Sequence, residues 1–118
     1  MLQTTLEALV ESSEDSLGAA VLNLDGVVID AYDGTGLDPE PAHALPEFGQ
    51  VIRQLGAVSE SFDFGDLVTA EIRGEDRITL LRPLDTNYVL VMWVRPHALI
   101  PRAKFRLRVA APDIKMQL

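Results

Sequence analysis

The sequence predicts an α+β domain, and three observations carry that prediction. Asp25-Gly26 separates two β-favourable runs, as expected of a hairpin. The continuously apolar run Tyr88–Val94 closes a series of three strand patterns joined by short turns. Between and before these groups, apolar residues recur at helical spacing, so helices are set apart from antiparallel strands along the chain. At 118 residues the chain fits a single domain, residues 1–118, large enough to bury most of its unfolded surface around one core without disulfides or metal.

The first helix places Leu2, Leu6, Leu9, Val10 and Ser13 on one face and ends among Ser12, Ser13 and Asp15. Two strands follow, Leu17–Leu24 and Val27–Tyr32, with Asp25-Gly26 as a two-residue turn. Asp33 to Pro41 is a loop by its density of Gly, Pro and Asp. A second helix runs from Pro46, tolerated at a first helical position, to about Phe62. Phe48, Val51, Ile52, Leu55, Val58 and Phe62 share one arc of it, leaving Gln50, Arg53, Gln54, Ala57 and Ser61 outside. Leu67–Arg73 alternates, with Val68, Ala70 and Ile72 on one side and Thr69, Glu71 and Arg73 on the other, the pattern of a strand near a sheet edge. Gly74-Glu75-Asp76 turns it into Arg77–Pro83, and Asp85-Thr86-Asn87 leads to Tyr88–Val94, a central strand covered on both faces, with Trp93 in the core. The tail is open. Ala103–Val109 alternates as a strand would, whereas a helix from Pro101 aligns Leu99, Ala103, Leu107, Ala110 and Ile114, with Pro112 kinking or stopping it.

Composition narrows the function. The absence of cysteine excludes disulfide frameworks, thiolate zinc sites and cysteine nucleophiles. His43, in the Pro-rich approach to the second helix, and His97, in the turn Arg95-Pro96-His97, are expected to be solvated loop residues, since neither has partners at metal-ligand or triad spacing. No metal, cofactor or catalytic residue is assigned. No apolar run spans a membrane and no basic-then-apolar leader opens the chain, so a soluble cytoplasmic protein is expected. A net charge of −8 argues against nucleic acid. Its distribution is uneven: up to Asp63 the only cation is Arg53, while Arg95, Arg102, Lys104, Arg106, Arg108 and Lys115 crowd the end. Those residues form either a basic patch for an acidic partner or anionic membrane surface, or a solvated helix face.

Val21-Leu22-Asn23-Leu24-Asp25-Gly26 resembles the opening motif of haloacid-dehalogenase-type phosphatases, in which a first aspartate attacks phosphorus. Here that position is Asn23, whose amide cannot attack as a carboxylate does, and the rest of that catalytic set is missing downstream. The letters are explained by a β-turn instead. Asp25, Asp30 and Asp33 also lack EF-hand spacing.

The order helix, hairpin, helix, three-strand meander, then a tail with helical character resembles the Roadblock family, which includes the dynein light-chain roadblock proteins and bacterial partners of Ras-like motility GTPases. Leu17–Ile29 resembles that family's first hairpin, Tyr88–Val94 its final strand, and Arg102–Val109 the start of its last helix. Pro46 and Pro112 depart from the family's usual helices. The resemblance implies an α/β/α-layered fold: a five-stranded antiparallel sheet with the middle helix on one face and the terminal helices on the other. It also implies a homodimer in which Leu67, Val68, Thr69, Ala70, Glu71, Ile72 and Arg73 pair with their copies and two middle helices lie side by side. An edge strand with free backbone groups is itself a template for such pairing. Gly49 and Gly56, two turns apart, either form a notch for a second helix or fit the chain's own sheet or loop.

The resemblance further implies a regulator or scaffold for a small Ras-like GTPase, held on a surface of Glu47, Gln50, Arg53, Gln54, Ala57, Glu60 and Ser61. Stimulated hydrolysis would come from an inserted arginine, for which Arg53 is the only candidate on that face, or from repositioning of the GTPase's own groups, which the resemblance favours; an ordinary solvated arginine is the simplest reading of Arg53. The other reading is an assembly adaptor that leaves nucleotide hydrolysis untouched.

Overall fold

A computed structural model describes residues 1–34 and 41–118, the first six of the second span by backbone alone. The elements are α1 (Leu2–Glu11), β1 (Ser16–Asn23), β2 (Val28–Asp33), α2 (Pro41–Ser61), β3 (Ala70–Arg73), β4 (Ile78–Pro83), β5 (Tyr88–Val94) and α3 (Ile100–Met116). The strands form one antiparallel sheet in the order β2-β1-β5-β4-β3.

Strand β5 lies at the centre because both of its faces are apolar. Leu90, Met92 and Val94 enter a core with Ala19, Val21, Ile78 and Leu80, covered by Leu6, Leu9 and Val10 of α1 and by Ala103, Leu107 and Ile114 of α3. Val89, Val91 and Trp93 enter a second core with Leu17, Ala20, Leu22 and Leu81, covered by Ile52 of α2. The layered α+β architecture that the resemblance implies is therefore present, with α2 on one face and α1 and α3 on the other. Trp93 is a core residue, its ring centroid 6.1 Å from that of Phe48 in a tilted arrangement.

The β1–β2 connection is one residue longer than the two-residue turn expected. Asn23 N–H donates to Val27 C=O at 2.9 Å and Gly26 N–H to Asn23 C=O at 3.1 Å, enclosing Leu24, Asp25 and Gly26. Only Gly26 takes positive φ, 95°, as the last residue of a three-residue hairpin requires. Asn23 Oδ1 accepts from the N–H groups of Asp25 and Val27, both at 3.0 Å. An asparagine here satisfies the turn's backbone donors, which is its physical role. A bulge follows, the register passing from Val21↔Asp30 to Leu22↔Val28.

Other expectations change in the helices. Helix α2 begins at Pro41, which takes the tolerated first position, and Pro46 falls in its second turn. His43 is therefore in the helix rather than an approaching loop, and the segment 35–40 of the expected loop lies outside the described residues. The tail is helical, and Pro112 neither stops nor shortens α3. Its buried stripe is Ile100, Ala103, Leu107, Ala111 and Ile114, one residue round from the expected one at two points, since Leu99 is exposed and Ala110 half-buried.

Strand β3 is shorter than Leu67–Arg73, pairing with β4 only from Ala70↔Leu81 to Arg73↔Ile78. The Thr69 hydroxyl donates to Leu81 C=O at 3.2 Å, a side-chain bond in place of a further backbone rung. Alternation fails at the same point. Leu67 and Ala70 both pack on the α2 side, and Val68 lies beside α3.

Candidate interaction surface

Helix α2 carries three different strips. Phe48 and Ile52 pack on the sheet, and Ile52 is its one buried apolar side chain among the described residues. Seen down the axis at 3.6 residues per turn, Leu55, Val58 and Phe62 form the next strip. They are 37%, 51% and 66% exposed, so an apolar flank stands uncovered in the single chain. Ile72 of β3 is also exposed and, two residues from Ala70, points to the same face of the sheet as α2. Sequence pattern groups Leu55, Val58 and Phe62 with the core residues. Nothing in periodicity separates an apolar residue buried by its own sheet from one left for a partner.

The third strip is polar. Glu47, Gln50, Arg53, Gln54, Ala57, Glu60 and Ser61 are all exposed on α2, as the candidate surface requires. They do not form one patch, however. Gln50, Gln54, Ala57 and Ser61 make a ridge along the outermost line of the helix, while Arg53 and Glu60, with Ala57 at the rim, turn toward a groove of about 600 Å³ between α2 and the strand turns. Leu24, Leu67 and Leu84 line its floor.

Arg53 has a specific partner. Its Nη2 donates to Asp25 Oδ1 at 2.7 Å, tying the middle of α2 to the tip of the β1–β2 hairpin. Both side chains are well exposed, so the pair is worth at most about 1 kcal/mol, and its effect is to hold the arginine back against its own chain. The two glycines differ too. A Cβ on Gly49 would meet Leu24 C=O at 3.0 Å and Asn23 C=O at 3.2 Å, so this glycine fits the chain's own hairpin. A Cβ on Gly56 would meet nothing within 4 Å, which leaves the notch open.

At the sheet edge, Glu71 on the opposite face accepts from Arg73 Nε at 2.6 Å and lies 3.1 Å from Lys104 Nζ of α3. The hydrogen bond from Arg73, then that from Lys104, holds its carboxyl below the ordinary 4.5. Tyr32 of β2 donates its hydroxyl proton to Glu11 Oε1 of α1 at 2.6 Å, and that bond, with burial second, pushes the phenol up to about 12. His97 is exposed in the turn after β5, its Nε2 3.1 Å from Asp15 Oδ1, a tie between that turn and the α1–β1 connection. No described helix is long and apolar enough to cross a membrane.

Similar folds are known. A Roadblock/LC7 domain from Streptomyces avermitilis superposes with a TM-score of 0.86 at 16% identity, covering 98% of this chain and 95% of that one. MglC from Myxococcus xanthus gives 0.71 at 24% identity with both chains fully covered. The gliding protein MglB from Thermus thermophilus gives 0.85 at 12% identity, covering 98% and 86%. No family model and no curated protein matches the sequence.

Proposed function

With the Roadblock/LC7 fold as the premise, we propose that this chain is a homodimeric scaffold whose two α2 helices, side by side, hold a small Ras-like GTPase. The supporting observation is the uncovered apolar flank Leu55, Val58 and Phe62, on the same side of the sheet as exposed Ile72 of the free β3 edge. Isolated apolar side chains are common on surfaces, but a continuous helix strip next to an unpaired edge strand is the composition of an interface. Pairing of the β3 edges, from Leu67 to Arg73, would extend the sheet through a two-fold axis, bring the two flanks together and set the two ridges of Gln50, Gln54, Ala57 and Ser61 beside one another. Glu47, Arg53 and Glu60 would border that platform, while Gly56 faces the groove on the Arg53 side, away from the paired flanks, and Gly49 serves its own hairpin.

The chain would act by contact and supply no catalytic group of its own. Because Arg53 is engaged by Asp25, the favoured mode is to position the GTPase's own residues rather than to insert an arginine. Light scattering at micromolar concentration tests the dimer: the wild-type chain should be twice the protomer mass and Val58→Asp a monomer. The wild-type protein should then bind a Ras-like GTPase in a nucleotide-dependent way, and Gln54→Arg should remain dimeric while losing that binding. A wild-type monomer would refute the dimer. A dimer indifferent to every nucleotide state would leave a plain adaptor.

A further inference from the structure

On the sheet face opposite α2, two of the cations near the chain's end, Lys104 and Arg108, line a slot together with Arg82. Helix α3 carries Arg102, Lys104, Arg106, Arg108 and Lys115 against a single carboxylate, Asp113, in a chain whose net charge is −8. A groove of about 430 Å³ runs between α3 and the segment entering β3. Its walls are Val68 and Thr69 on one side and Lys104, Phe105 and Arg108 on the other, with Arg82 of β4 between them. That volume lies within the roughly 300–1,000 Å³ typical of ligand sites.

Two properties of the slot select its occupant. The first is charge left without a complement: among the described residues Lys104 is paired with Glu71, whereas Arg82 and Arg108 have no carboxylate partner. The second is a preset apolar contact. Phe105 is 55% exposed, and the Arg108 guanidinium sits over its ring, 5.4 Å from the centroid. An arginine stacked on an aromatic face keeps its planar fork of donors oriented for a carboxylate. Cations supplied by two different elements around a recessed apolar lining suit an inserted chain segment, while a bilayer surface would meet only the outer row of α3.

From this charge complementarity we propose that the α3–β3 groove is a docking site for an acidic peptide segment of a partner protein, one in which carboxylates alternate with a large apolar side chain. The apolar residue packs against Phe105 and Val68, and the flanking carboxylates meet Arg108 and Arg82. The groove lies on the sheet face opposite α2 and is lined by one protomer, and its Val68–Thr69 wall borders the edge proposed to pair in the dimer, so the peptide titration is run alongside light scattering and a loss of binding with the dimer intact is what counts against the groove.

The test uses the full isotope-labelled chain and three synthetic twelve-residue peptides: glutamates alternating with leucine and phenylalanine, the same peptide with lysine for glutamate, and a glutamate–serine peptide without apolar residues. Vesicles of three parts phosphatidylcholine to one part phosphatidylserine form a fourth arm. The first peptide should shift the amide resonances of Val68, Lys104, Phe105 and Arg108, bind about tenfold tighter than the other two, and weaken with added salt. Arg108→Gln, at an exposed site that leaves folding intact, should weaken it several-fold, and Arg77→Glu on the β3–β4 turn should not. No shift at millimolar peptide, shifts that map elsewhere, equal binding of the lysine peptide, or binding to vesicles alone would each overturn the proposal.

Discussion

Leu107 and Val58 occupy equivalent roles in the helical pattern of α3 and α2, yet Leu107 is 2% exposed and Val58 51%. The difference belongs to the two faces of the sheet. On the α1–α3 side, two helices close over β1, β5 and β4 and leave Leu6, Leu80, Met92, Leu107 and Ile114 without solvent contact to speak of. On the other side, among the described residues, one helix crosses alone, buries Ile52, and then carries Leu55, Val58 and Phe62 clear of the sheet. The inner side of the α1–α3 layer is closed by its own helices, although Leu99 before α3 and Phe105 and Val109 on its outer side stand exposed, whereas on α2 the apolar residues that follow Ile52 are themselves uncovered. That difference supports the proposal that α2 takes part in self-association.

The comparison can be broken most severely by truncating each residue. Leu107→Ala should cost about 2–5 kcal/mol, the range for a large aliphatic residue removed from a packed core. Val58→Ala, measured at dilution where only protomer is present, should cost less than about 0.5 kcal/mol, as for other surface changes. Urea unfolding of both variants checks the pair, and similar losses would mean that the α2 flank is already buried in the protomer.

The finished face can also be sharpened, since one residue in it works against its own helix. Pro112 lies exposed within α3 and has no N–H for the carbonyl of Arg108, one turn earlier. Pro112→Ala restores that bond and should stabilise the chain by about 1–3 kcal/mol, seen as a higher urea midpoint at unchanged slope.

A smaller effect separates the faces by pH. Glu71, which joins β3 to α3 through Lys104, is held below 4.5 in the folded chain. A depressed folded value means that the unfolded chain binds the proton more readily, so this contribution is complete above about 4.5 and fades as pH falls through the folded value. The stability difference between wild type and Glu71→Gln should therefore shrink on acidification below that point. Thermal melts across pH 3 to 7 measure it, and a constant difference would remove the ion pairs as its cause.

Much of the fold was legible because local and global preferences agree in particular segments. Tyr88–Val94 is apolar on every residue, and only a strand covered twice can bury it. Asp25-Gly26 identified the hairpin, although the third loop residue depends on Asn23, whose amide closes the turn. The end of the chain was harder: Lys104-Phe105-Arg106-Leu107-Arg108 alternates as a strand, and the helix is decided by the packing of Ala103, Leu107 and Ile114 on the α1 side. Beyond reach were the kink at Val68–Thr69, which rests on one hydroxyl bond, and the Arg53–Asp25 pair, whose partners are far apart in sequence. The polar surface on α2 was legible residue by residue, but its division into a ridge and a groove wall follows from where the hairpin tip sits.

The sheet has two outer strands, and they are not equally open to addition. On β2 the irregular step opposite Val21 and Leu22 puts two residues against one, twisting that margin out of line. On β3 four consecutive residues keep regular spacing. If copies pair as proposed, they would add at the β3 margin and be turned away at the other. Growth begun by a second chain would then end there, giving a closed pair in place of a lengthening fibre, although Val27, Val28 and Ile29 leave the far margin greasy.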